Sequence, residues 1–474
     1  MTTTAPRAAT PATSPPAGSP PSPRELLKSN QYLVLVILAG ILGAPIAFLA
    51  ALFLKLVSLS QHFFYKGLIH DLGFSHEPLW WPLPLLVICG LLVALTIQYL
   101  PGTAGDKPAE GLKMAGIPPA NYLPGVIIAA LATLGMGAVL GPDAPLIVLG
   151  LGTGALAMQA IKRDAPQQAM MLMGAAGSTT ALAALLHNPL AATILVLEAA
   201  AGAVGGGMVG PLLMPAMLAA GVGTLVFVGV DSWAGLGTIS LSIPQIPAFH
   251  TPTGAEFLWA VAIGILAAGL GIVIRIVSQR LQNLVEPRKV LLTPAMGIIV
   301  ALAAIVFCAI SDKSSSLVLF SGESYLPGLV EHAAAYSAGT LVLLVVCKWI
   351  AYTASLSSFR GGPLFPAMFI GTAGGIALSH LPGLPMIAGV GMGIGAMAAA
   401  VLGLPIFAVV IATMFVASDA VGLLPLIIVS VVISYVAAAR LAPPLAHERE
   451  KAEQQQGAAA GKPDGQPAGK PAAA

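Results

Sequence analysis

The most constraining feature of this sequence is a series of long apolar runs with few charged residues. The runs at 32–56, 80–99, 209–230, 255–278 and 421–440 are each long enough to cross, or nearly cross, the roughly 30 Å of hydrocarbon in a bilayer. Only 8% of the 474 residues are charged, against about 25% in an average soluble domain, so the chain cannot build a polar shell. We predict an all-α, multi-pass protein of a cell membrane (plasma or inner).

Shorter apolar pieces broken by Gly and Pro lie between these runs, at 125–141, 145–161, 364–379 and 404–418. Broken helices at membrane depth usually line a cavity or an ion path, because lipid cannot satisfy the interrupted backbone. A net charge of +2 provides no basic field for nucleic acid. The three cysteines lack the spacing of a metal site or a disulfide framework. We therefore expect a transport protein with no nucleic-acid partner, metal or cofactor.

The two ends of the chain are polar, and the apolar body divides into two halves. We expect 1–31 to form a disordered tail with a short leading helix, and 447–474 to form a disordered tail. We expect a first membrane repeat at 32–230, a connecting loop at 231–254 and a second membrane repeat at 255–446. Basic residues beside the first and last spans place both termini in the cytoplasm by the positive-inside rule.

Two similar segments support this division. They begin at Gly177 and Gly393, and each runs a small-residue helix into a proline, Pro189 or Pro405, and then into a second apolar helix. Both pairs of positions are 216 residues apart. Duplicated transporters place their site near the membrane midplane, where the halves meet. Chance similarity between two Ala- and Gly-rich helices is the alternative explanation.

Three acidic residues, Asp143, Glu198 and Asp419, fall inside apolar segments. Each costs roughly 2.5–3.5 kcal/mol at the bilayer centre on insertion scales and therefore needs a reason. Asp143 stands two residues before Pro145, which suits the first turn of a helix. Asp143 is then either a helix cap or a carboxylate that occupies an anion site and exchanges with the anion. Asp419 is expected to be a cap or turn residue.

Three Gly/Pro elements, at 114–118, 140–145 and 361–366, each deliver a helix N-terminus within apolar sequence. Such termini present unpaired N–H groups and about half a positive charge. Several of them aimed at one point bind an anion without a buried Lys or Arg. A full buried cation would hold chloride too tightly for permeation. The pattern therefore favours a site for a small, partly dehydrated anion.

Two cations lie close to these elements in the sequence. Lys348, in LVLLVVCKWIAY, is a candidate for adding positive potential to the anion path; pairing with a carboxylate or snorkelling are the alternatives. Arg360 directly precedes GGPLFP and is a candidate for drawing anions to a vestibule, with a plain loop charge as the alternative. His187 and Asn188 precede Pro189 and are expected to satisfy helix ends.

Four segments in order resemble the CLC family of chloride channels and proton-coupled exchangers, in its prokaryotic form without a cytoplasmic regulatory domain. MAGIP (114–118) resembles the family's G-S-G-I-P element, and GGPLFPAMFIGTAGG (361–375) its G-G-x-F-x-P segment. LATLGMGAVLGPDAPLIVLG (131–150) resembles G-T-L-G-x-G-x-V-L-G-R-E-G-P, and GAAGSTTALAALLHNPLAATILVLEAA (174–200) resembles the segment that follows. The resemblance implies an inverted-repeat fold with tilted and broken helices, and a homodimer in the lipid bilayer with one pore per subunit.

The resemblance also assigns roles to residues. Asp143 falls on the family's gating glutamate, which competes with the anion until it is protonated or swings away. The resemblance implies that the anion path is lined by Ala115, Gly116, Ile117, Pro118, Pro142, Ala144, Pro145, Pro363, Leu364 and Phe365. Chloride, or a similar anion, and protons are the implied partners.

Several departures from the family pattern bear on mechanism. Ala115 and Ala446 stand where the family has a serine and a tyrosine that bind the central anion. Ala199 stands on the position of the internal proton-relay glutamate, and Glu198, one position earlier, is the candidate for a proton path. Pro142 and Ala144 replace the Arg and Gly of the gating motif. These changes favour passive or loosely coupled anion transport, with a proton/chloride antiporter as the alternative.

Two other classes of protein fit less well. An intramembrane aspartyl protease would pair Asp143 with Asp419, but the motifs of that family are missing. A secondary transporter of a cation or an organic solute would need more carboxylates in the apolar segments. We therefore expect no enzymatic activity.

Overall fold

The computed structural model describes residues 27–112, 116–200, 209–234, 252–416 and 420–444. Within these ranges the regular structure is helical, and the backbone forms one isolated antiparallel bridge. Fourteen helices of eleven residues or more occur in the described ranges, and they form two sets of seven.

The first set occupies the N-terminal half. Its members are α1 (Asn30–His62), α2 (Pro82–Tyr99), α3 (Leu123–Gly135), α4 (Asp143–Ile161), α5 (Gln167–Leu186), α6 (Pro189–Ala200) and α7 (Val209–Ala234). A π-helical turn, Phe63–Gly67, extends α1 into one further turn, Leu68–Asp71. Proline occupies one of the first two positions of α2 and α3, where its missing N–H leaves no hydrogen bond unmade.

The second set repeats this order. Its members are α8 (Gly254–Val285), α9 (Lys289–Ser311), α10 (Ala338–Ser358), α11 (Leu364–Leu378), α12 (Met386–Leu402), α13 (Pro405–Phe415) and α14 (Ala420–Leu441). A short helix, Leu326–Glu331, and several 3-10 turns connect α9 to α10.

Eight helical stretches of the described ranges are long and apolar enough to cross a membrane, and α3, α6, α11, α12 and α13 are shorter apolar helices. This mixture of full and partial spans confirms the predicted multi-pass, all-α architecture with broken helices.

The two sets pack in the same way. The pairs α1–α7, α4–α5 and α5–α7 of the first set correspond to α8–α14, α11–α12 and α12–α14 of the second. Across the halves, α2 packs on α9 and α6 packs on α13. Each half therefore repeats the other helix by helix, as an inverted-repeat fold requires.

Glycine sets the closest helix crossings at equivalent places in the two halves. Gly150 of α4 meets Gly177 of α5, and Gly371 of α11 meets Gly393 of α12. A Cβ atom at any of these four positions would overlap the backbone of the facing helix. Gly177 and Gly393 open the two similar segments of the sequence, so the segments occupy matching positions in the fold.

The ends of α5 and α12 also correspond. His187 and Gly403 follow them in the left-handed conformation, with φ of 52° and 71°. The side chain of Asn188 then accepts hydrogen bonds from the N–H groups of Leu190 and Ala191, both at 2.9 Å. The prediction that Asn188 satisfies a helix end is confirmed.

Some expected boundaries differ from the structure or lie outside it. α7 continues to Ala234, beyond the expected start of the connecting loop at 231, because that boundary lies at the end of the apolar run, Val230, and the helix continues into the polar residues after it. Residues 1–26 and 445–474 lie outside the described residues, and so do Ala115, Asp419 and Ala446.

Candidate functional site

The helices α4 and α11 begin side by side, at the junction of the two halves. Gly141 and Gly362 exchange both backbone hydrogen bonds, with N–O distances of 2.7 and 2.6 Å, and so form the bridge between them. A Cβ atom on Gly362 would overlap the carboxylate of Asp143, so this close approach requires glycine. The two Gly/Pro elements thus bring two helix N-termini to one place, as the sequence predicts.

The carboxylate of Asp143 lies at this meeting point. Asp143 is the first residue of α4 and is completely buried. Its Oδ2 accepts a hydrogen bond from the backbone N–H of Leu364, the first residue of α11, at 3.3 Å. Its Oδ1 has no hydrogen-bond partner within the described ranges. Asp143 therefore caps a helix of the other half, in the position where an anion would meet the N-terminus of α11.

The other predicted contacts from these two elements surround the carboxylate. They are Pro142, Ala144, Pro145, Pro363, Leu364 and Phe365, all buried except Ala144, which is half-buried. The ring of Phe365 packs beside Gly141. The side chains that these two elements place around Asp143 are apolar, so the electrostatic contribution of the elements to an anion comes from the positive ends of α4 and α11.

The third Gly/Pro element lies against a different surface. Gly116, Ile117 and Pro118 line a cavity of about 440 Å³. Its wall also includes Val148 and Leu151, on the flank of α4. The structure thus brings two of the three predicted elements together at Asp143, and the third borders a cavity that reaches α4 further along its length.

Two hydroxyl side chains from α10 support the junction. The completely buried Tyr352 donates a hydrogen bond from its hydroxyl to the carbonyl oxygen of Pro363 at 2.7 Å. The Oγ of Ser355 accepts from the N–H of Val139 at 3.0 Å. The run TASLSS, near the end of α10, was the available signal in the sequence, but its contacts depend on tertiary packing.

A second carboxylate, Glu323, approaches the site from a loop. It is half-buried and lines a cavity of about 140 Å³ together with Pro142, His187 and Ser321. Burial first, and then the nearby charge of Asp143, raise the pKa of Glu323 to about 8. No pattern in the sequence singles out Glu323, because SGESYLP resembles an ordinary polar loop.

Lys348 is held inside the protein by carbonyl oxygens. The residue is completely buried, and its Nζ donates to the carbonyls of the segment 317–320 at 3.0 to 3.3 Å. The same nitrogen lies 4.2 Å from the ring centroid of Phe369. Backbone carbonyls, rather than the partner carboxylate considered from the sequence, accept the hydrogen bonds of this amino group. Attraction of anions by Lys348 stays a prediction.

Glu198 caps a helix of the opposite half. Its Oε1 accepts from the N–H of Ile406 at 3.0 Å and its Oε2 from the N–H of Phe407 at 2.8 Å. Both donors belong to the first turn of α13. The carboxylate therefore has a structural function in the resting fold, and its part in a proton path stays a prediction.

Arg360 is buried but does not contact Asp143. Its Nε donates to the carbonyl of Thr103 at 3.2 Å and its Nη1 to the carbonyl of Phe359 at 3.1 Å. The guanidinium lines a third cavity, at the ends of α2, α8 and α10. The side chain is buried among these helix ends, so the alternative of a plain loop charge does not describe it, and attraction of anions by Arg360 stays a prediction.

Comparison with known proteins identifies the family and the fold of the chain. A family model described as voltage gated chloride channel matches residues 109–439. The ion-transport protein YfeO of Escherichia coli is 27% identical over 370 residues, which cover 76% of this chain and 82% of that protein. The YfeO protein of Salmonella paratyphi A has the same identity and is covered to 84% of its length.

Solved structures with the same fold include two antiporters. A slow cyanobacterial Cl⁻/H⁺ antiporter matches with a TM-score of 0.70 at 18% identity, over 90% of this chain and 99% of the other. A CLC-type fluoride/proton antiporter matches with a TM-score of 0.66 at 19% identity, over 88% and 98% of the two chains. At this identity the likeness establishes the fold.

Proposed function

This protein belongs to the CLC family of voltage-gated chloride channels, and from that premise we propose that it moves chloride-like anions through a path in each subunit gated by Asp143. The observation that carries the proposal is the hydrogen bond from the N–H of Leu364 to the Asp143 carboxylate. A carboxylate in this position competes with an anion for the same N–H donor. When Asp143 is protonated or turns away, the N-terminus of α11 becomes free for the anion.

The strength of the Asp143 contacts suits a gate. A helix N-terminus stabilises an anion by roughly 0.3–2 kcal/mol, and a hydrogen bond to a charged group contributes about 1.5–3 kcal/mol. Asp143 has one such bond to α11, while its buried Oδ1 has none among the described residues. The closed position is therefore held by a few kcal/mol at most, an amount that an incoming anion or a proton can supply.

We favour passive or loosely coupled transport. The position of the family's proton-relay carboxylate holds Ala199, and the neighbouring Glu198 is bonded to two N–H groups of α13. Proton delivery through Glu198 would first require the loss of this cap. Both features weaken the internal proton path on which strict exchange depends.

Proton/anion antiport is the second candidate, and Glu323 favours it. The side chain of Glu323 lies close enough to Asp143 for the negative charge of Asp143 to raise the pKa of Glu323. A carboxylic acid with a pKa of about 8 is able to exchange protons near neutral pH and to pass them to Asp143. Both solved antiporters with this fold are described as moving protons against a halide.

A reversal-potential measurement distinguishes the two candidates. The purified protein is reconstituted into liposomes with a chloride gradient, with and without an opposing pH gradient. We expect the reversal potential to follow the chloride gradient alone. A shift of the reversal potential with the proton gradient would overturn the passive proposal in favour of antiport.

We propose further that the protein acts as a homodimer in the cell membrane, with both termini in the cytoplasm. The family resemblance supports the dimer, and the basic residues around the first and last spans support the orientation. Cross-linking in native membranes tests the first point, and protease accessibility of tagged termini tests the second.

A further inference from the structure

A small side cavity lies apart from the junction of α4 and α11. It has a volume of about 50 Å³ and is enclosed by the ends of α2, α8, α9 and α10. Its charged lining residues are Lys107, Glu286, Lys289 and Arg360, and its polar lining residues include Gln282 and Thr293. The anion path proposed above makes no use of this cavity.

Arg360 supplies a buried positive charge to the cavity wall. Its Nε and Nη1 donate to backbone carbonyls, while its Nη2 has no hydrogen-bond partner in the described part of the chain. Burial lowers the pKa of Arg360 to about 10, against the opposing effect of nearby carboxylates, so the guanidinium is charged at neutral pH. Arg360 forms no salt bridge with the described residues, which leaves its charge uncompensated by direct contact.

Two further polar atoms of the lining are buried without partners. The Oγ1 of Thr293, which is completely buried, makes no hydrogen bond within the described ranges. The Oε1 of the buried Gln282 also makes none, although its Nε2 donates to Glu110 at 3.1 Å. Buried polar atoms without partners are unfavourable unless water or a ligand satisfies them. A hydroxyl donor beside an open guanidinium suits an anion, and the amide oxygen suits a water molecule bound next to it.

The charged lining residues are three cations, Lys107, Lys289 and Arg360, and one carboxylate, Glu286, and the nearby carboxylates Asp106 and Glu110 also act on Arg360. Lys107 contacts Glu286 and lies 3.9 Å from Glu110, so its charge is compensated. Lys289 is half-buried and forms no salt bridge in the described structure. Arg360 and Lys289 therefore contribute two positive charges that no described carboxylate contacts directly.

We propose that this cavity is a second binding site, for a single halide-sized anion held by Arg360, Lys289 and the hydroxyl of Thr293. A cavity holds one water molecule for about every 10–15 Å³ of volume measured in this way. The side cavity, at about 50 Å³, therefore has room for one small anion with a few water molecules. A phosphate ester with a bulky substituent would not fit.

The side cavity is close to the proposed gate along the chain. Arg360 directly precedes Gly361 and Gly362, and the backbone of Gly362 forms the bridge to Gly141 beside Asp143. An anion bound to Arg360 therefore fixes the loop that leads into α11. This regulatory consequence rests on the proposed function, whereas anion binding in the cavity does not.

Bromide binding to the purified full-length protein tests the site directly, by anomalous diffraction from crystals soaked in bromide. We expect an anomalous peak in the side cavity of the wild-type protein and of Arg288→Gln, a control at an exposed arginine outside the lining. We expect Arg360→Gln to lose the peak. Absence of the peak in the wild type, or its survival in Arg360→Gln, overturns the proposal.

A titration in solution tests affinity. Calorimetry with bromide should show binding weakened roughly tenfold or more by Arg360→Gln, and about two- to tenfold by Thr293→Val. Thr293→Val preserves the shape and charge of the side chain, so this variant still tests the proposal if Arg360→Gln does not fold. Unchanged affinity in Thr293→Val and in Lys289→Gln would overturn the proposed coordination.

The same diffraction experiment distinguishes the proposed second site from the proposed gate site. With Asp143→Ala, a bromide peak at the N-termini of α4 and α11 is expected from the proposed function. A peak in the side cavity alone would support the second site and contradict the gate site. A peak at the helix N-termini alone would do the reverse.

Discussion

The carboxylate of Asp143, in the first half of the molecule, accepts a hydrogen bond from the backbone N–H of Leu364, in the second half. Glu198 makes the same kind of contact across the halves, but with two N–H groups of α13 instead of one. Both acids thus stabilise a helix N-terminus of the opposite repeat. The difference in the number of bonds supports the proposal of an opening gate at Asp143 and a fixed cap at Glu198.

Replacing the Asp143 carboxylate tests the gate. We expect Asp143→Ala to retain anion flux and to lose the dependence of flux on pH below pH 7, because no carboxylate then competes for the N–H of Leu364. The measurement is chloride efflux from liposomes between pH 4 and pH 7, a range that extends upward from the ordinary carboxyl pKa values. The matched control is Asp164→Ala, at an exposed position, which should behave like the wild type. If Asp143→Ala keeps the pH profile of the parent, Asp143 is not the gate.

Removing the Glu198 carboxylate should affect the stability of the protein more than the coupling of anion flux to protons. Glu198→Ala deletes both hydrogen bonds to the first turn of α13, and we expect a loss of about 1–3 kcal/mol in the free energy of unfolding. Thermal unfolding in detergent and chloride flux per folded protein are the two measurements. Unchanged stability together with an altered proton dependence would instead identify Glu198 as part of a proton path.

The sequence predicted those parts of the site that depend on local pattern. Gly and Pro around Asp143 and before Leu364 specify where two helices begin, because proline suits the first turn and glycine permits close approach. What the sequence could not show was the cross-half contact itself, since Asp143 was expected to cap its own helix or bind in an anion site. The position of Ile117 and Pro118 on a separate cavity likewise depends on tertiary packing.

Some of the charged residues at the site could be selected from the sequence, and others could not. Asp143 and Glu198 stand out because carboxylates in apolar runs are costly. The partners of Lys348 are backbone carbonyls, which carry no sequence signal. Glu323 belongs to a polar loop, so its proximity to Asp143 became visible only in three dimensions.

Substitution of Lys348 distinguishes a structural from an electrostatic function. Lys348→Met leaves the carbonyl oxygens of 317–320 without their buried donor, and we expect a loss of about 1–3 kcal/mol in the free energy of unfolding. The control is Lys66→Met, at an exposed position, which should change stability by less than about 0.5 kcal/mol. A Lys348→Met protein of normal stability but reduced anion flux would show that Lys348 attracts anions.

Titration of Glu323 should appear both in stability and in flux. The pKa of Glu323 is raised from 4.5 to about 8 in the folded protein, so the folded state binds the proton more tightly than the unfolded state. Its contribution to stability is therefore fully present below pH 4.5 and falls as the pH rises to about 8. Glu323→Gln should reduce this decline, measured by thermal unfolding at a series of pH values.

The flux of the same variant tests the link between the two carboxylates. Above pH 8, ionised Glu323 places a negative charge near Asp143 and in the cavity that His187 also lines. We expect this charge to slow anion entry, so that wild-type flux falls between pH 7 and pH 9 while Glu323→Gln shows a smaller fall. Glu331→Gln, at an exposed position after the same loop, is the matched control and should follow the wild type. A Glu323→Gln protein whose pH profile coincides with that of Glu331→Gln would show that the charge of Glu323 does not control anion entry.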